Sequence, residues 1–140
     1  MDTHLLRRLP AQAVTSEAFQ PYGQVIFPSA DGDVYGPADA QLHLQNGTPR
    51  FYLMRLTQRG SRFHKITRHL RCTQCLGALA GKDWTIGVAP PTPAASPDWE
   101  NIQVFHIPGN CFIKLNLGTW HAGPYFVHPS VDFYNLELSD

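Results

Sequence analysis

The chain has 140 residues, 43% of them apolar and 11% aromatic, which excludes global disorder and suits one domain with its own core. Eleven Lys and Arg balance eleven Asp and Glu, so nothing in the charge favours nucleic acid or an anionic membrane as partner. Seven histidines and twelve prolines stand out, proline averaging about 5% of residues in ordinary domains.

Helical periodicity is scarce. A short helical turn is expected at Ser16 to Gln20, with Thr15 as N-cap and Glu17 in the first turn, where negative charge suits the dipole. Pro21 and Gly23 end it. Strands follow at Tyr22 to Phe27, Phe51 to Thr57, Ser61 to Leu70, Thr73 to Ala80, Trp84 to Val88, Ile102 to Ile107, Cys111 to Leu117 and Val131 to Leu138. The clearest is Cys111 to Leu117, where Cys111, Ile113, Leu115 and Leu117 alternate with Phe112, Lys114 and Asn116. Two irregular stretches interrupt the series. Ser29 to Ala40 is rich in Asp and Gly, and Ala89 to Asn101 holds four of the twelve prolines. Many short strands with Gly or Pro between them indicate a small sandwich or barrel over residues 1 to 140.

Cys72, Cys75 and Cys111 cannot form a closed disulfide set. Arg7, Arg8 and Pro10 fall where a secretory segment needs an apolar core, and no apolar run reaches the roughly 18 residues of a membrane span. A cytoplasmic protein with reduced thiols is expected. Cys72 and Cys75 form a Cys-x-x-Cys pair, but an odd offset on a strand separates the thiols and no second pair completes a zinc site. Arg7 and Arg8 read as an exposed pair, and Trp84, Trp99 and Trp120 as packing residues. His4, His43 and His128 have no partners at a telling spacing and take surface positions by default. His64 faces away from His69, and His106 shares the face of Ile102 and Val104.

The segment Lys65 to Gly81 carries the chemistry. On an extended strand Lys65, Thr67 and His69 share a face; Gln74 and then Gly81 follow. This spacing resembles the first motif of the cupin superfamily, in which two His at alternate positions precede a Glu and then a Gly. Thr67 stands in the first-ligand slot and Gln74 in the carboxylate slot. Cupins supply a last His from a later strand, and His121 is the candidate, within Gly118-Thr119-Trp120-His121-Ala122-Gly123-Pro124. A set of His69, Gln74 and His121 suits a borderline divalent ion such as Ni, Zn, Mn or Fe. A histidine in a strand is also often a hydrogen-bonded structural residue.

Thr15-Ser16-Glu17-Ala18-Phe19, then Pro21-Tyr22-Gly23 and Val25-Ile26, resembles the opening signature of the ureidoglycolate lyase family. The resemblance continues at Arg68-His69, Thr73-Gln74, Trp120-His121 and Val131-Asp132-Phe133, in the same order along most of the chain. It implies an all-β, cupin-like double-stranded β-helix (a small β-barrel) with a short N-terminal helical turn. It further implies a homodimer that splits ureidoglycolate into glyoxylate and urea in allantoin catabolism, with a divalent metal, Ni or else Mn or Zn. On that resemblance His69, Gln74 and His121 hold the metal. His69 and His121 are the catalytic imidazoles, together with Lys65, which also neutralises the substrate carboxylate. Arg68, Trp120, Asp132 and Tyr134 contact the substrate.

One departure is visible. Family members commonly carry acids where this chain has Lys65 and Thr67, which removes an anionic ligand and a general base. The alternative reading is therefore a cupin-like protein with altered catalysis that binds a small carboxylate or a protein partner.

Overall fold

The computed structural model describes residues 6–140; His4 lies outside them. The N-terminal elements are β1 (Ala11–Ala13), α1 (Ser16–Phe19), β2 (Gly23–Ile26) and β3 (Pro49–Thr57). Then come β4 (Gln74–Ala78), β5 (Trp84–Ala89), a 3-10 turn (Trp99–Asn101), β6 (Gln103–Ile107), β7 (Phe112–Leu115), β8 (Trp120–Tyr125) and β9 (Ser130–Leu138). Thr15 caps α1 as its spelling requires, its hydroxyl accepting from the Ala18 amide at 3.0 Å.

Two sheets form, one in the order β1-β6-β5-β8 and one in the order β2-β7-β4-β9-β3. The architecture is all-β and cupin-like. Among the described residues no ladder joins the sheets into the closed barrel that the sequence suggested. The edge of β8 offers a reason. The chain from Ser61 to Leu70, expected as a strand, touches it through one bridge only, between Thr67 and His121. Phe63 and Ile66, three residues apart, turn instead onto a satellite cluster with Ala89, Ile102 and Trp120. That spacing is incompatible with the period of two that a ladder needs.

The interior is apolar through most of its depth. Trp84, Ile86, Val88, Phe105, Ile107, Ile113, Val131 and Phe133 are all buried, each contributing about 1.5–3 kcal/mol by leaving water. Phe19, Tyr22 and Phe105 meet edge to face, which docks α1 against this core. The strand β8 is absent from the runs expected above, and it contains Gly123 and Pro124. Its place at the edge of its sheet is where a proline costs no ladder bond. Gly109 serves a close approach: a Cβ there would stand 2.2 Å from the Gly81 backbone.

Candidate active site

The polar part of the interior lies towards one end of the sandwich. Along β9, Val131, Phe133 and Asn135 are buried, and alternation carries Glu137 to the same inner face. On the neighbouring β3, Tyr52 stands opposite Asn135 and Arg50 opposite Glu137. Gln74 opens β4 and faces inward beside them. From the other sheet His121 faces inward as the partner of Val88. His69 precedes β4, its carbonyl held by the Gly118 amide at 2.8 Å.

These side chains form one connected arrangement. Gln74 Nε2 donates to Asn135 Oδ1 at 3.0 Å. The Asn135 amide nitrogen donates to the Tyr52 hydroxyl at 3.1 Å and to Glu137 Oε2. Glu137 Oε1 lies 4.0 Å from His69 Nε2. The His69 and His121 rings stack with centroids 5.3 Å apart and planes 25° apart. Arg50 lies 3.6 Å over the Tyr52 ring. The buried amides thus hold the carboxylate of Glu137 beside an imidazole.

Among the described residues, two atoms of this polar cluster have no partner: Gln74 Oε1 and His121 Nδ1 are buried without a hydrogen bond, as is the Trp84 indole nitrogen deeper in the core. An orphaned buried polar atom costs about 1–3 kcal/mol, so both are suited to meet a ligand. Although part of the His121 side chain remains open to solvent, its Nδ1 is sealed. Burial, reinforced by the neighbouring His69, pushes the imidazole down to about 4. His121 is therefore neutral at physiological pH and keeps a lone pair for a ligand.

The fit to a divalent ion rests on this donor set. Among the described residues no three His, Cys, Asp or Glu side chains are grouped so as to hold an ion. Two imidazoles need the orphaned amide oxygen of Gln74 to complete such a set, with Glu137 the nearby negative charge.

The remaining sequence candidates lie elsewhere. Lys65 is exposed and forms no ion pair among the described residues. Arg68 and Trp120 lie on the outer side of the sheet that carries His121. The guanidinium sits 4.4 Å over the indole, and both side chains bond Thr92. Asp132 also faces out, bound by Arg55 through two bonds of 2.8 and 3.1 Å. Tyr134 packs outside against Phe51 and Phe112. The structure does not bring these four to the polar interior. Their parity decides it: Trp120 and His121 are successive residues of a strand, and Asp132 and Tyr134 alternate with Val131 and Phe133.

Glu137 is the residue that sequence reasoning missed. The signal was present, because Val131 and Phe133 mark the inner face of this strand and Glu137 continues it. Other polar groups fall outside the site. His106 and His128 bracket Asp83 at 2.7 and 3.1 Å, and their hydrogen bonds hold its carboxyl below the usual range. Cys72, Cys75 and Cys111 are free and buried; burial pushes the Cys75 thiol up to about 11, which leaves it unreactive.

No curated protein matches the chain significantly by sequence. The family model of ureidoglycolate lyase, by contrast, matches residues 6–139. That match runs from the segment before β1 through the last residues after β9, so it takes in every side chain of the polar interior. The chain belongs to the ureidoglycolate lyase family.

Proposed function

We propose that the protein splits ureidoglycolate into glyoxylate and urea, the polar interior being its active site, and that it acts in the cytoplasm as a homodimer in allantoin breakdown. The observation that supports this most is Glu137. It supplies from β9 the carboxylate that Lys65 and Thr67 do not, beside His69 and within the same interior as His121.

The reaction needs little chemistry from outside. The hydroxyl of the carbinolamine carbon loses its proton, its electron pair forms the carbonyl of glyoxylate, and the bond to the urea nitrogen breaks. That nitrogen takes up a proton as urea leaves. One proton moves from oxygen to nitrogen, so a single carrier can take it and return it. Glu137 is that carrier. Asn135 and Tyr52 hold its carboxylate in place, so the group is positioned before substrate enters.

His69, His121 and Gln74 Oε1 would hold a divalent ion, nickel or else manganese or zinc. Such an ion supplies Lewis acidity that lowers the pKa of the substrate hydroxyl. His121, kept neutral by burial, remains a donor as the medium becomes mildly acidic. The apolar side chains deeper in the sandwich limit water around the reacting carbon.

The test is release of glyoxylate and urea from ureidoglycolate by the purified chain, with and without added nickel, manganese or zinc. Equal amounts of the two products support the assignment. A folded protein that releases neither under any of these conditions overturns it. Metal binding is read separately, by calorimetric titration of the protein with nickel, and His121→Ala should weaken it at least tenfold.

A further inference from the structure

The outer face of the sheet that carries His121 holds a groove of about 700 Å3. Arg7, Arg8 and Arg62 line it, and among the described residues no acidic side chain does. That local excess is notable in a chain whose charges balance overall. Arg7 is occupied, donating to the Trp99 carbonyl at 2.5 Å. Arg8 and Arg62 are exposed, and among the described residues neither bonds a carboxylate.

The rest of the lining is mostly apolar, with Ser61 and Thr85 the polar exceptions. Gly87 contributes no side chain, and a Cβ there would stand 3.2 Å from the Phe63 ring. Phe63 stacks on Tyr125 with planes 21° apart, and Trp99, at another part of the lining, is 45% exposed. Planar rings bordering a cationic rim are complementary to a ligand with a planar apolar body and one anionic group. The volume falls within the range of sites for small organic ligands, about 300–1,000 Å3.

We propose that this groove binds a small aromatic anion, its ring against Phe63, Tyr125 and Trp99 and its carboxylate or sulfonate paired with Arg8 and Arg62. The site is separate from the polar interior. Ala122 faces the groove side of β8 opposite Gly87, whereas His121 beside it faces inward. The inference therefore holds whether or not the chain turns over ureidoglycolate.

The experiment is calorimetric titration of the full chain with 2-naphthoate, and with the neutral 2-naphthamide as its uncharged counterpart. Saturable binding of one naphthoate per chain is expected, at least tenfold tighter than the amide. Replacing both groove arginines (Arg8→Glu with Arg62→Glu) should weaken naphthoate at least tenfold. Lys82→Glu, a charge change outside the groove, should alter it less than twofold. The arginines are exposed, so a matching circular dichroism spectrum and melting temperature will show that the variants remain folded. Absence of saturable binding to the wild type overturns the proposal. So does equal affinity for the amide, or a loss in Lys82→Glu as large as in the arginine variant.

Discussion

Burial of His121 makes stability depend on pH in a way that one substitution removes. The imidazole titrates at 6.5 when free and at about 4 in the folded chain. Between those values the unfolded chain binds a proton that the folded chain does not, so stability falls as the solution is acidified. The contribution is intact above pH 6.5 and is lost progressively towards pH 4. At about 1.4 kcal/mol per pH unit, the loss at pH 4.5 comes to about 2 to 3 kcal/mol. His121→Gln keeps a polar side chain in the interior and removes the titration. Urea unfolding at pH 7.5 and 4.5 measures the effect, with slopes of roughly 1–3 kcal/mol per molar urea. The wild type should lose about 2 to 3 kcal/mol more than His121→Gln over that interval. Titrating groups that do not interact with His121 are common to both proteins and cancel. Equal losses would refute the reasoning, because they would mean that His121 takes up its proton without resistance from its surroundings.

Asp132→Asn and Tyr134→Phe should leave turnover of ureidoglycolate within twofold of wild type, since both side chains lie outside the sandwich; a loss of tenfold or more in steady-state kcat would contradict this placement. Gly109→Ala should lower stability by about 1–3 kcal/mol, the range for overpacking, because its Cβ would meet the Gly81 backbone; thermal unfolding reads this, and an unchanged melting temperature would contradict it. Gln74→Leu should weaken nickel binding at least tenfold by calorimetry, since it removes the orphaned amide oxygen; unchanged affinity would show that Gln74 donates to no ion.

Much of the fold was legible because alternation and turn chemistry are local. The Thr15 cap and the strand around Ile113 follow from neighbours a few residues away. What was not legible depends on packing at a distance. The Ser61 to Leu70 segment has the composition of a strand, yet Phe63 and Ile66 have a second apolar cluster to join, and the ladder yields to it. The edge strand around Trp120 hides behind a Gly-Pro pair whose tolerance depends on having no partner on one side.

His69, Gln74 and His121, chosen on their spacing, do lie in one interior, because strand geometry fixes how side chains project. Arg68 and Trp120 entered the candidate set through the family resemblance; each is next in sequence to one of those histidines, and adjacency on a strand is the relation that sends side chains apart. Glu137 was missed for the converse reason. It is 68 positions along the sequence from His69, and only the pairing of β9 with β3 and β4 shows what it stands beside. Its parity with Val131 and Phe133 was readable, but its partner was not.

The most direct test of the account is kcat for ureidoglycolate cleavage by Glu137→Gln against wild type, both assayed with the metal that best supports turnover. Gln keeps the size and hydrogen-bonding capacity of the side chain but cannot carry the proton. A fall of about 10²–10⁴ in kcat at saturating metal, with the melting temperature held near the wild-type value, is the predicted result. Turnover within threefold of wild type would contradict the assignment of Glu137 as the proton carrier.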